Sequence, residues 1–67
     1  MFEDQYGELN GIKWSVKYLG DRDFQLTVGT LTEKYTCQYP MVFGMDIADV
    51  NNLNARLDAM QEEVENG

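Results

Sequence analysis

From Ile12 to Tyr39 apolar and polar residues alternate, and after Asp46 the apolar residues recur at threes and fours instead. This change of period constrains the fold more than any other feature. A period of two sets one side of a strand on a core, and a period near 3.6 does the same for a helix. Ile12, Trp14, Val16 and Tyr18 alternate with Lys13, Ser15 and Lys17, which is the clearest strand. Phe24, Leu26 and Val28 alternate with Gln25 and Thr27, and Tyr35, Cys37 and Tyr39 with Lys34, Thr36 and Gln38. The turn formers Gly20-Asp21-Arg22-Asp23 and the segment from Gly29 to Glu33 separate these runs. Short loops between strands imply an antiparallel meander.

Pro40 has no amide hydrogen for a ladder and ends the third strand or marks an edge position, and Met41-Val42-Phe43-Gly44-Met45 lead into the last element. Asp46 predicts an N-cap. Asp49, at the third helical position, stands in for the glutamate of a capping box, and Met45 with Val50 forms a hydrophobic staple. Beyond them Val50, Leu53, Leu57, Met60 and Val64 mark an amphipathic helix over 46–65, cap included. The stripe is too short for a coiled coil and reads as core laid on the sheet. Asn51, Asn52 and Asn54 are weak helix formers, so packing holds the helix. Residues 1–10 have no sustained period and read as a loosely ordered arm or short edge element. The expected fold is therefore a single α+β domain over 1–67. Its three-stranded antiparallel meander (11–39) is followed by one C-terminal amphipathic helix packed on one face.

Charge constrains function. Twelve carboxylates face five basic groups in 67 residues, for a net charge of −7, and there is no histidine. Lys13, Lys17, Arg22, Lys34 and Arg56 are few and scattered, so no phosphate-neutralising patch is expected, nor attraction to an anionic membrane. A charge of this size serves solubility; its sharper use is steering towards a basic protein surface. Cys37 is the lone cysteine, so no intramolecular disulfide forms. With no apolar run resembling a signal peptide or a membrane span, the expected location is the cytoplasm, that of the host cell if the protein is viral.

The inventory offers little chemistry. Without histidine, the Ser-His and Cys-His arrangements and the commonest transition-metal ligand are missing. A single cysteine within an alternating strand reads as a small core residue. The pairs Asp21 with Asp23 and Asp46 with Asp49 fit turn and cap chemistry, fall short of a calcium ligand set, and match no EF-hand loop. The six glycines form no phosphate-binding fingerprint. Trp14, Tyr18, Tyr35 and Tyr39 suggest a stacking platform only if a positive groove accompanies them, and none is expected. No enzyme activity, metal or cofactor is expected.

What remains is binding. One acidic group comprises Asp21 and Asp23 at the first hairpin turn, beside Glu3, Asp4 and Glu8; the other is the helix end, with Asp58, Glu62, Glu63 and Glu65. The last three glutamates oppose the helix macrodipole, so the end either frays or serves a partner. Leu31, at the expected tip of the second hairpin, and Phe2 and Tyr6 on the arm are candidate exposed anchors. The expected function is a small acidic inhibitor that blocks the basic, nucleic-acid-binding surface of a larger protein, without itself contacting nucleic acid or membrane. It is similar in type to the small proteins that phages carry against restriction, CRISPR or transcription systems. The alternative is a structural subunit that oligomerises through its helix or a sheet edge, and either a monomer or a homodimer fits the charge.

Overall fold

The structure is a computed structural model that describes residues 4–39 and 44–67. Phe2, Glu3 and the strand-ending role of Pro40 lie outside the described residues. The elements are β1 (Gln5–Leu9), β2 (Ile12–Gly20), β3 (Asp23–Val28), β4 (Leu31–Thr36) and α1 (Ile47–Asn66). The strands form one antiparallel sheet in the order β1-β2-β3-β4, and α1 lies across its β3 and β4 side. The α+β class with an antiparallel sheet and a C-terminal helix agrees with the expectation.

Among the described residues the sheet has four strands and not three. Residues 5–9, read as an arm or a short edge element, form an edge strand and pair with β2 from Gln5↔Val16 to Leu9↔Ile12. The turn that joins them is Asn10-Gly11, with φ of 54° and 78°. Two consecutive residues at positive φ give a hairpin turn whose twist matches that of the strands, and Asn-Gly is the sequence that tolerates it best. The β3–β4 hairpin is also tighter than expected. Its turn is the two residues Gly29 and Thr30, closed by Val28↔Leu31, so Leu31 opens β4 and is half-buried against the core instead of sitting at a tip. Gly29 has φ of 60°, which a side chain would strain. Between β2 and β3 the register shifts from Tyr18 to Gly20, and Asp21 takes φ of 54°. The Tyr18 hydroxyl donates to the Asp21 carbonyl at 2.7 Å and holds that turn.

Alternation then sorts the side chains. Val16, Phe24, Leu26, Val28 and Cys37 meet Leu53 and Met60 of the helix in a fully buried core, with Ile12, Trp14, Tyr18, Leu31, Tyr35, Met45, Leu57 and Val64 packed around it. Tyr18 and Phe24 rings lie 5.2 Å apart, tilted by 46°. Burial of Leu53 or Met60 contributes about 1.5–3 kcal/mol each, which makes packing and not intrinsic propensity the force that holds α1.

The helix is turned relative to the stripe read from sequence. Its buried face runs through Asp49, Leu53, Leu57, Met60, Gln61 and Val64, while Val50 is 37% exposed. Asp46 caps as expected, accepting from the Ala48 amide at 3.0 Å. Asp49 does not complete a capping box. It is fully buried and accepts from the Tyr35 hydroxyl (2.8 Å) and the Gln38 (2.8 Å) and Tyr39 (3.1 Å) amides. With the helix turned this way, Asp49 satisfies donors left by the end of β4 while Leu53, Leu57, Met60 and Val64 pack on the sheet.

The far end of α1 is also tied. Buried Gln61 donates through Nε2 to the Leu9 carbonyl (3.1 Å) and to Glu65 Oε2 (2.7 Å), and Asn10 donates to the same Glu65 oxygen at 3.3 Å. The helix persists to Asn66 despite its glutamates because this side-chain chain fastens it to the β1–β2 turn. At 1.5 Å per residue, twenty residues span about 30 Å of the 36 Å long axis. The Asp49 clamp and the Glu65 tie therefore hold opposite ends of the molecule.

Candidate binding face

The two acidic groups expected from sequence do not meet. Asp21 lies at the β2–β3 turn, whose Arg22 carbonyl accepts from the Cys37 amide at 2.8 Å, so it sits at the N-terminal end of α1. Asp4 is close to this end, accepting from the Tyr18 amide at 3.0 Å. Glu8 instead faces Lys13 at the other end of the β1–β2 hairpin. Asp23 is engaged internally: it accepts from the Thr36 hydroxyl at 2.8 Å and pairs with Lys34 at 3.4 Å. The Thr36 hydrogen bond, followed by Lys34 and Arg22, holds its carboxyl below the ordinary value. Its negative charge is largely used within the sheet.

The second group is better placed. Asp58, Glu62 and Glu65 are spaced by four and three residues along one exposed flank of α1, and Glu63 lies further round the helix. Asp58, Glu62 and Glu63 are exposed and make no hydrogen bond or ion pair with any described residue, whereas Glu65 is held by Gln61 and Asn10. Arg56, the last basic residue of the chain, is turned to Glu33 of β4 and leaves the carboxylates uncompensated. Asp58 and Glu62, four residues apart with like charge, repel one another. The arrangement is a standing electrostatic cost that an external cation would relieve.

The opposite face of the sheet has the other sign. Alternation puts Lys13, Lys17 and Lys34, three of the five basic groups, on the side away from α1 together with Tyr6, Gln25 and Thr27. They are gathered on one face, contrary to the scatter expected from sequence. Two of them nonetheless face acids across strands, Lys13 opposite Glu8 and Lys34 paired with Asp23. The face is close to neutral, and the helix side carries most of the net charge.

Between the acidic ridge and the sheet lies a groove of about 320 Å³, lined by Leu9, Trp14, Val28, Asn54, Leu57, Asp58 and Gln61. It exists because α1 covers β3 and β4 and leaves the inner faces of β1 and β2 partly open. The Trp14 indole is half-buried and rests on Gly7, directly across the ladder; a Cβ at Gly7 would lie 2.7–2.9 Å from three ring atoms. Leu9 stands at the rim, 52% exposed. A wider and more open hollow on the outer face is bordered by Tyr6, Lys13, Ser15 and Thr27. Sequence reasoning assigned Trp14 to the inner face, where it is, but missed the groove. The signal was a glycine placed opposite a tryptophan, readable only once β1 is recognised as a strand.

Other chemistry-bearing groups serve the fold. Cys37 is buried, and burial pushes its thiol up, away from the reactive thiolate. Among the described residues no cluster of three or more His, Cys, Asp or Glu side chains is arranged to hold a metal ion, and no helix is long and apolar enough to cross a membrane. No family model, no curated protein and no solved structure matches this chain.

Proposed function

We propose that the protein is a non-enzymatic binding module, most concretely an inhibitor, that sets the acidic side of α1 on the basic surface of a larger protein that ordinarily holds nucleic acid. The observation that carries this reading is the set of carboxylates Asp58, Glu62 and Glu63, which pair with no described residue, on a helix fastened at both ends, with Arg56 engaged elsewhere. Charges held on a rigid element, with little entropy left to lose, steer encounter and fix orientation more effectively than charges on a loose tail. Small phage proteins directed against restriction or CRISPR nucleases would use such a face in this way.

The test is affinity capture from a cell lysate at low and high salt, repeated with Glu62→Lys/Glu63→Lys. Capture of a basic protein that weakens steeply with salt and with charge reversal is expected. Capture unaffected by both would discard the reading. A second reading, assembly with further copies of the chain, draws on β1 and β4, each of which pairs on one side only among the described residues. Light scattering separates the two, since assembly requires a mass above that of the 7.7 kDa monomer without any partner.

A further inference from the structure

Building on the acidic face as a partner surface, we infer that the groove beside Trp14 is its specificity pocket, taking one apolar side chain of a basic peptide segment with Lys or Arg on either side of it. The lining divides by chemistry. Leu9, Trp14, Val28 and Leu57 offer an apolar floor and wall, and Asp58 sets a carboxylate at the lip. One helical turn further on stands Glu62, and neither acid has a partner among the described residues. The pocket thus presents apolar surface and negative charge within one side-chain length of each other, the complement of an apolar residue in a cationic segment.

Size narrows the occupant. Ligand pockets usually run from roughly 300 to 1,000 Å³, and this groove, at about 320 Å³, sits at the lower limit. It has room for one leucine, methionine or phenylalanine side chain together with the peptide backbone beside it. The Trp14 indole N–H makes no hydrogen bond with any described residue, and neither does the Asp58 carboxylate that lines the same groove. A peptide carbonyl and an ammonium group would satisfy both. The groove walls are a packed helix and a hydrogen-bonded sheet, so little ordering is needed on binding.

Trp14 is the sole tryptophan, and its indole N–H gives one cross-peak in a proton–nitrogen correlation spectrum. The probes are acetyl-Lys-Lys-Leu-Lys-Lys-amide and acetyl-Lys-Lys-Gly-Lys-Lys-amide, titrated into the full chain. The leucine peptide is expected to move the Trp14 indole and Gln61 side-chain signals and to bind roughly tenfold more tightly than the glycine peptide, the ratio expected for burying a leucine. Asn54→Trp, which fills the groove from an exposed helix position, should erase that preference. Asp58→Asn, which leaves the shape unchanged, should weaken both peptides. Equal affinity for the two peptides, or a leucine preference that survives Asn54→Trp, overturns the pocket. If equal binding is still lost in Glu62→Lys/Glu63→Lys, the acidic-face reading stands without it. Failure of both peptides to bind removes the two together.

Discussion

The Tyr35 hydroxyl donates to Asp49 Oδ1 at 2.8 Å, joining the last strand of the sheet to the first turn of the helix. The same carboxylate takes two backbone amides from Gln38 and Tyr39. A buried anion satisfied by three donors is a fixed point of the fold, and removal of any donor leaves charge without compensation. Tyr35→Phe is expected to lower stability by about 1–2 kcal/mol in urea unfolding. Asp49→Asn should cost more, because its amide sets a donor against one of the amide donors the carboxylate now accepts. A melting temperature for Asp49→Asn equal to that of the wild type would remove the clamp from the account.

The clamp has a pH signature at both extremes. Hydrogen bonds from the Gln38 amide, Tyr35 and the Tyr39 amide hold Asp49 below the ordinary carboxylate value of 3.8. Asp23 is lowered as well, chiefly by Thr36. A folded-state value below the unfolded one gives stability that is present above pH 3.8 and lost as the pH falls through the folded values. Tyr35 moves the other way: burial, then Asp49, pushes it from 10.0 to about 12. That contribution is complete below pH 10 and lost as the pH rises towards 12. Urea midpoints across pH should decline at both ends, and Asp49→Asn should flatten the acid limb.

Gly7→Ala tests the seat of Trp14. The new Cβ would stand 2.7 Å from Cζ2 of the indole, so the ring must lift or the strand must shift. Overpacking of this kind costs roughly 1–3 kcal/mol. Trp14 emission should move to the red as the ring gains solvent; unchanged emission and stability would show that Gly7 imposes no constraint.

The glutamates at the end of α1 are not equivalent. Glu62→Lys and Glu63→Lys remove repulsion with the macrodipole, and each should leave stability equal or raise it by about 0.3–1 kcal/mol at low salt. Glu65→Lys breaks the acceptor shared by Gln61 and Asn10 and should lower it. Identical melting shifts for the three would dissolve the distinction.

Cys37 offers a kinetic readout. Its side chain is buried and its thiol pushed up by burial, so labelling by a disulfide reagent should be slow in native buffer and fast in urea. Fast labelling of the native protein would place the sulfur at the surface.

Much of the architecture was legible in the sequence. The alternation at Ile12–Tyr18 and Phe24–Val28 located β2 and β3, and the stripe from Leu53 to Val64 located the helix. The sequence leaves β1 undecided between an arm and an edge element because Gln5, Tyr6, Glu8 and Leu9 are all exposed on an edge strand and carry no clean apolar period. Asn10-Gly11 was the local signal that identifies it. Asp49 was misread because a carboxylate in a first turn looks the same whether it serves its own helix or another segment; its partners lie ten to fourteen residues away. Of the candidate contacts, Asp58, Glu62 and Glu63 are exposed as read, whereas Asp23, Glu65 and Leu31 are taken up by neighbours that only the register reveals. The groove was out of reach, since it depends on which strands α1 leaves uncovered.

The separation of acids on the helix side from lysines on the far face of the sheet gives the molecule a permanent electric moment directed through its thickness. In the field of a cationic body such a particle experiences torque as well as pull. It would rotate before touching, arrive helix foremost, and adsorb to a positively charged resin in one orientation with its lysines pointing into the buffer.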